Sequence, residues 1–215
     1  MVELGKVERP EAGSYALKKK LYCVANVYTI RNAPHEFTAL LVRYWSEVAQ
    51  QTERLEAAGK IKKIFCENIF VSGEEALDAL SKINEQALQF VRKKVEEGAV
   101  LLPLETEEIF GQFLDWGNCL GIVRTHEVFT KVLDFYTDFG EKRIEHARHA
   151  IESNLMDGEA GLLIMRDEDR MRLQLPPEIE IFLVTPPSYD DLLRWLREKM
   201  KDMRQGKDDT EKEAS

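Results

Sequence analysis

Glycine-rich phosphate loops are missing from this chain of 215 residues. Neither G-x-G-x-x-G nor a GK[ST] loop follows a candidate strand, which weighs against dinucleotide and P-loop nucleotide binding. A G-x-S-x-G elbow is also absent, so a serine nucleophile of the α/β-hydrolase kind is not indicated. Cysteine is scarce: Cys23, Cys66 and Cys119 form an odd, widely spaced set that suits neither a disulfide framework nor a zinc ribbon. Cys23 and Cys66 lie in apolar runs and read as reduced, buried thiols. No window approaches the ~20 apolar residues of a spanning helix. The segment Met1 to Ser14 is polar and is not a signal peptide. Cytoplasmic location and no membrane partner are the expectations. Positive charge is in deficit, with 30 Lys and Arg against 39 Asp and Glu, a net −9. Such a chain repels phosphate backbones, so no nucleic-acid partner is expected.

What is present is an ordinary globular balance, 44% hydrophobic and 32% charged. The length suits a single domain that buries about 70% of its unfolded surface without a staple. Residues 1–17 show no periodicity and read as a flexible arm. Leu21 to Ile30 and Ile61 to Val71 read as strands, followed by Ala99–Leu104, Gly161–Met165 and Glu180–Val184. Between them, apolar residues recur at spacings of three and four, as in Phe37, Leu40, Leu41, Tyr44, Trp45 and Val48. Ser72 and Glu75 have the spacing of a capping box before a single helix ending at Gly98. Gly117, Gly121 and Gly140 are expected to interrupt or weaken the helices that hold them. The order β-α-β-α-β-α-α-β-β-α predicts an α/β fold: a mainly parallel sheet of about five strands with helices on both faces. The domain is expected to span 18–203, with a disordered charged tail at 204–215. The direction of the last strand is open.

Ligands of open α/β sheets collect at the carboxyl ends of the strands. That rule selects Thr29, Arg31, Asn32 and His35 after the first strand, and Glu67 and Asn68 after the second. It adds Glu105 after the third, and Arg166, Asp167, Glu168, Asp169 and Arg170 after the fourth. Brought together, these groups could form an acidic pocket for a divalent cation or a water-activating base. Equally, polar residues at strand ends could simply meet solvent, with the arginines as neutralising partners. The stretch Glu141, Arg143, Glu145, His146, Arg148, His149 reads as a salt-bridged helix face. A metal-binding reading would require matching ligands on a second helix.

Ile64 to Glu105, IFCENIFVSGEEALDALSKINEQALQFVRKKVEEGAVLLPLE, resembles a segment of an uncharacterised prokaryotic α/β family. Its members carry a strand ending in an Asp-Gly turn, a long helix, a Gly-Ala, a short strand and an acidic turn. The stretch IESNLMDGEAGLLIMRDEDRMRLQLPPEIEIFLV, ending at Val184, resembles that family's last portion. It is also distantly similar to the TraB/Tiki/erythromycin-esterase-like superfamily. The resemblance implies an α/β fold and places Glu67 and Glu105 at the two acidic turns. Arg143 matches the superfamily's arginine. Ile144 stands where its acid would be, Asp169 where its histidine would be, and His35 is the nearest substitute for the first-strand motif.

Three readings follow. The first is a ligand-binding or regulatory protein with a degenerate hydrolase-like site, formed by His35, Glu67, Glu105, Arg143 and Asp169 with Asn68, Arg166 and Asp167 as ligand contacts. Its ligand is an unidentified small molecule or protein. The second is a metal-dependent hydrolase in which Glu67, Glu105 and Asp169 hold the cation, His35 is base or ligand, and Arg143 stabilises negative charge. The third is an assembly protein forming a homodimer through an aromatic helix face. Cofactor and metal identity are left unknown by all three.

Overall fold

The computed structural model describes residues 18–30 and 32–213, with side chains described to residue 201. The arm expected at 1–17, and Arg31, lie outside the described residues. The elements run β1 (Lys19–Ala25), α1 (His35–Leu55), β2 (Ile61–Cys66), α2 (Glu74–Ile83), α3 (Glu85–Glu96) and β3 (Val100–Pro103). They continue with α4 (Glu107–Leu120), α5 (His126–Asn154), β4 (Ala160–Met165), α6 (Asp167–Arg170), β5 (Ile179–Val184) and α7 (Pro187–Glu213). Among the described residues, no helix is long and apolar enough to cross a membrane.

The strands form one sheet in the order β3-β2-β4-β1-β5. Every pairing is parallel, including that of β5 with β1, which fixes the direction left open by the sequence. The chain steps outward from β1 to β2 and β3, returns to place β4 between β2 and β1, and ends beyond β1. Residues of α1, α2 and α3, on the outward steps, pack on one face with Tyr22, Val24, Ile64 and Leu162. Ile144, Ala147 and Ile151 of α5, on the return, pack on the other face with Leu21, Phe65 and Leu163. Steps in opposite directions on opposite faces let one crossover hand serve throughout. Strand side chains alternate between faces, so β4 sends Leu162 and Ile164 one way and Leu163 and Met165 the other. Gly161 is required by close approach: a Cβ there would lie 3.1 Å from Leu21 Cδ1 and 3.3 Å from Leu155 Cδ1.

Local departures from the sequence reading have physical reasons. The helix expected from Ser72 to Gly98 is two helices, because Asn84 leaves helical geometry and caps α3 by accepting from the Ala87 N–H at 3.2 Å. The cap of α2 is Gly73 at φ 69°, and Ser72 makes no capping bond. Helices α4 and α5 run unbroken through Gly117 and Gly140, each stabilised by the other helix despite the poor propensity of glycine. α7 continues to Glu213, across most of the stretch expected to be a disordered tail. That stretch has no proline and is rich in Lys, Arg, Gln and Glu, which favour helix.

Candidate functional site

β1, β2 and β4 all end at the same edge of the sheet, so the residues that follow them converge. Asn26 and Tyr28 come from β1, Glu67 and Asn68 from β2, and Arg166 to Arg172 from β4. Glu105 follows β3, and Arg143 reaches the group from α5. Asn68 turns the chain at φ 63°, a left-handed conformation that asparagine tolerates better than most residues.

Arg143 is the centre of this convergence. It is 2% exposed, among the largest fully buried side chains of the molecule. Its Nε and Nη2 donate to Glu105 Oε1 at 3.0 and 2.7 Å, and its Nη1 donates to Asp169 Oδ2 at 2.7 Å. Glu67 Oε2 lies 3.7 Å from Arg143 Nη2 and 3.4 Å from Arg166 Nε. Arg166 Nη2 closes the ring by donating to Asp169 Oδ2 at 3.1 Å. The rings of Phe110 and Phe113 flank the Arg143 guanidinium at 5.4 and 5.3 Å. Burial disfavours the charged guanidinium, but bonding to Glu105 and the charge of Asp169 outweigh it, so the Arg143 pKa is raised.

A neutral hydrogen-bond chain supports Glu67. The Tyr28 hydroxyl donates to Glu67 Oε1 at 2.9 Å and accepts from Asn26 Nδ2 and Asn68 Nδ2 at 2.8 Å each. With two donors already directed at its oxygen, the Tyr28 proton points to the carboxylate. Asn84 Nδ2 anchors Asn26 Oδ1 at 2.7 Å. Burial pushes the Glu67 carboxyl up, against the opposing effects of Arg166, Tyr28 and Arg143. Burial and the Glu67 charge push the Tyr28 hydroxyl up as well.

Above this floor is a cavity of about 700 Å³. Phe110, Phe113 and Tyr136 of the α4–α5 hairpin make one wall, and Tyr28, Asn68, Arg166, Asp169 and Arg172 the other. Phe113 and Tyr136 stack with centroids 4.7 Å apart. The glycines in the hairpin open this space: Gly117 lies beneath Tyr136, and Gly140 between Phe113 and the guanidinium of Arg172.

The structure brings together Glu67, Glu105, Arg143, Arg166 and Asp169, with Asn68 one bond away through Tyr28. It does not bring His35 to them. His35 is exposed at the start of α1, and no bond joins it to the cluster. Asp167 turns the other way, accepting from the Tyr189 hydroxyl at 2.7 Å and from Arg170 Nε at 3.0 Å. The space among the three carboxylates, which the cation reading reserves for a metal, is occupied by the Arg143 guanidinium. Among the described residues no group of three or more His, Cys, Asp or Glu is placed to hold a metal. On α5, Arg148 bridges Glu145 and Glu152, and His149 Nε2 lies 3.0 Å from Glu145. This is the salt-bridged face among the two alternatives. Trp45 lies in the core and Trp195 packs on Phe37, while Trp116 stacks on Phe135 at 4.6 Å.

Sequence reasoning missed Asn26, Tyr28 and Asn84. Tyr28 looked like one more aromatic residue of a strand, and only the early end of β1 turns its hydroxyl towards Glu67. Comparison of the chain with protein-family models, curated proteins and solved structures finds no match.

Proposed function

We propose that this chain is a cytoplasmic ligand-binding or regulatory α/β protein whose site is a degenerate relative of the TraB/Tiki/erythromycin-esterase-like arrangement. The observation that carries the reading is the 700 Å³ cavity at the carboxyl ends of β1, β2 and β4, the size and place of a small-molecule site. Its floor is held rigid by the Arg143 ion cluster and the Tyr28 chain, as a preorganised site requires. The metal-hydrolase reading has less support, since Glu67, Glu105 and Asp169 are directed at guanidinium groups rather than at an open coordination position. The test is equilibrium dialysis against a metabolite extract with wild type and Thr137→Trp, a substitution at an exposed position on the cavity lining. Compounds retained by wild type and not by the variant are expected. Identical retention by both would overturn the reading.

A second reading has its own observation. Leu114, Val128, Phe129, Leu133 and Phe135 of the α4–α5 hairpin are exposed, and no residue of α4 is buried. An apolar hairpin of this kind suits a homodimer contact. Sedimentation velocity of wild type and Phe129→Glu tests it: a dimer that dissociates in the variant is expected, and a wild-type monomer at high concentration would overturn it.

A further inference from the structure

We propose that the cavity takes a planar aromatic anion, its ring lying along the Phe113–Tyr136 wall and its carboxylate or phosphate held by Arg172 and Arg166. This rests on the ligand-pocket reading above and names its ligand class.

The argument starts from which donors are unused. Arg143 is buried and fully engaged. Arg166 is 45% exposed and donates through Nε and Nη2 only, so its Nη1 hydrogens have no acceptor among the described residues. Arg172, six residues further on and exposed, donates its backbone N–H to the Asp169 carbonyl at 3.1 Å, and its guanidinium makes no ion pair or hydrogen bond among the described residues. Its Nη1 and Nη2 lie 3.6 and 3.7 Å from the position a Cβ of Gly140 would take, which directs the guanidinium onto the helix that carries Tyr136. Two guanidinium groups with free donors thus border one cavity, the geometry that recognises an oxyanion. Phe110, Phe113 and Tyr136 line the same cavity, and their rings offer a surface for a flat ligand.

The lining carboxylates do not cancel this arrangement. Asp169 Oδ2 is already bonded to both Arg143 and Arg166. Glu168 is exposed and brings the formal charge of the lining to zero against Arg166 and Arg172. Selectivity for an anion therefore comes from directed hydrogen bonds rather than from net charge, and removing Glu168 strengthens it.

The experiment is calorimetric titration with 2-naphthoate, 2-naphthyl phosphate and the neutral 2-naphthamide. At least one anion is expected to bind ten-fold or more tightly than the amide, and the two anions distinguish carboxylate from phosphate. Arg172→Gln, at an exposed position, is expected to remove that preference by weakening anion binding at least ten-fold more than amide binding. Arg172→Lys restores part of it, and Glu168→Gln enlarges it. Equal binding of anion and amide, or an anion preference that survives Arg172→Gln, would overturn the proposal. If none of the three binds while dialysis still shows compounds retained by wild type and not by Thr137→Trp, the ligand class is wrong and the pocket reading stands.

Discussion

Arg143 directs two of its nitrogens at a single oxygen of Glu105, and the other oxygen of that carboxylate, Oε2, is buried without a hydrogen-bond partner. The pair is therefore held by one strong fork rather than by the parallel two-oxygen contact that arginine and carboxylate usually favour. The second side of the guanidinium is left for Asp169 and Glu67. One cation thereby fixes the loops after β2, β3 and β4 relative to one another.

Removing that cation leaves three carboxylates facing each other at a buried site. Arg143→Ala is expected to cost ~3–5 kcal/mol, the usual range for breaking a buried pair from one side. Glu105→Gln, which keeps an acceptor for Nε, should cost less than half as much. Urea unfolding of the two variants checks this; equal and small losses would show that the cluster contributes little.

Glu67 gives a pH signature. Its folded-state pKa is raised by burial, so between the unfolded value and the folded value the native state holds more protons than the unfolded state. Its contribution is then a loss of stability as pH rises through that window from about 4.3 upwards. Glu67→Gln, uncharged and still able to accept from Tyr28, should be more stable than wild type at neutral pH, with the advantage vanishing towards pH 4. Unfolding free energies of both proteins across pH 4–8 measure it. A variant less stable than wild type at pH 7 would mean that the pairing with Arg143 and Arg166 outweighs desolvation.

Asn84 carries two roles that substitution can separate. Asn84→Ala removes the cap of α3 and the donor to Asn26, for an expected loss of ~2–3 kcal/mol. Asn84→Asp keeps the capping acceptor, loses the donor to Asn26 Oδ1 and the Val27 carbonyl, and sets a carboxylate oxygen against both. If the Asn26–Tyr28 chain matters to the cavity, Asn84→Asp should weaken ligand retention even though α3 remains capped. Denaturation curves combined with dialysis decide.

Gly140→Ala should expose a conflict between stability and site. Alanine is favoured over glycine in a helix by about 1 kcal/mol. The new Cβ would meet Phe113 at 3.4 Å and Arg172 at 3.6 Å, ordinary contact distances. The variant is expected to melt higher and bind less, because the methyl group occupies cavity space. Gly117→Ala, 3.2 Å from Tyr136, should gain less stability. Differential scanning calorimetry compares them.

The thiols should be unequal. Burial pushes the Cys23 thiol up to about 12 and the Cys66 thiol well above its ordinary value. Cys119 is partly exposed. Ellman's reagent should label Cys119 in the native protein and all three cysteines in urea. Rapid native labelling of Cys66 would contradict the packing of β2.

All five strands were legible because buried parallel strands are apolar runs, and the ends of β4 and β5 came within a residue. The carboxyl ends of β1 and β2 were overextended, since Val27 and Ile69 are strand-like residues that pack from loops and Ile30 is a strand-like residue left exposed. Glu67, Glu105 and Asp169 could be named from the strand-end rule alone. Their partner could not be placed: Arg143 is one of two arginines on an outwardly charged helix. Only the return of α5 across the sheet face buries it. His35 failed for the converse reason. It follows β1 in sequence, but Pro34 starts a helix there and leaves the imidazole in solvent.

The central strand of the sheet leaves the ribosome after both strands that flank it. β4 lies between β1 and β2, yet it begins at Ala160 while those strands are complete by Cys66. Until β4 is made, β1 and β2 have no neighbour on their facing edges, and the sheet cannot close by local pairing. Strands waiting in this way are adhesive. In the cell, holding chaperones should engage nascent chains that end before residue 160 and release those that extend past β5.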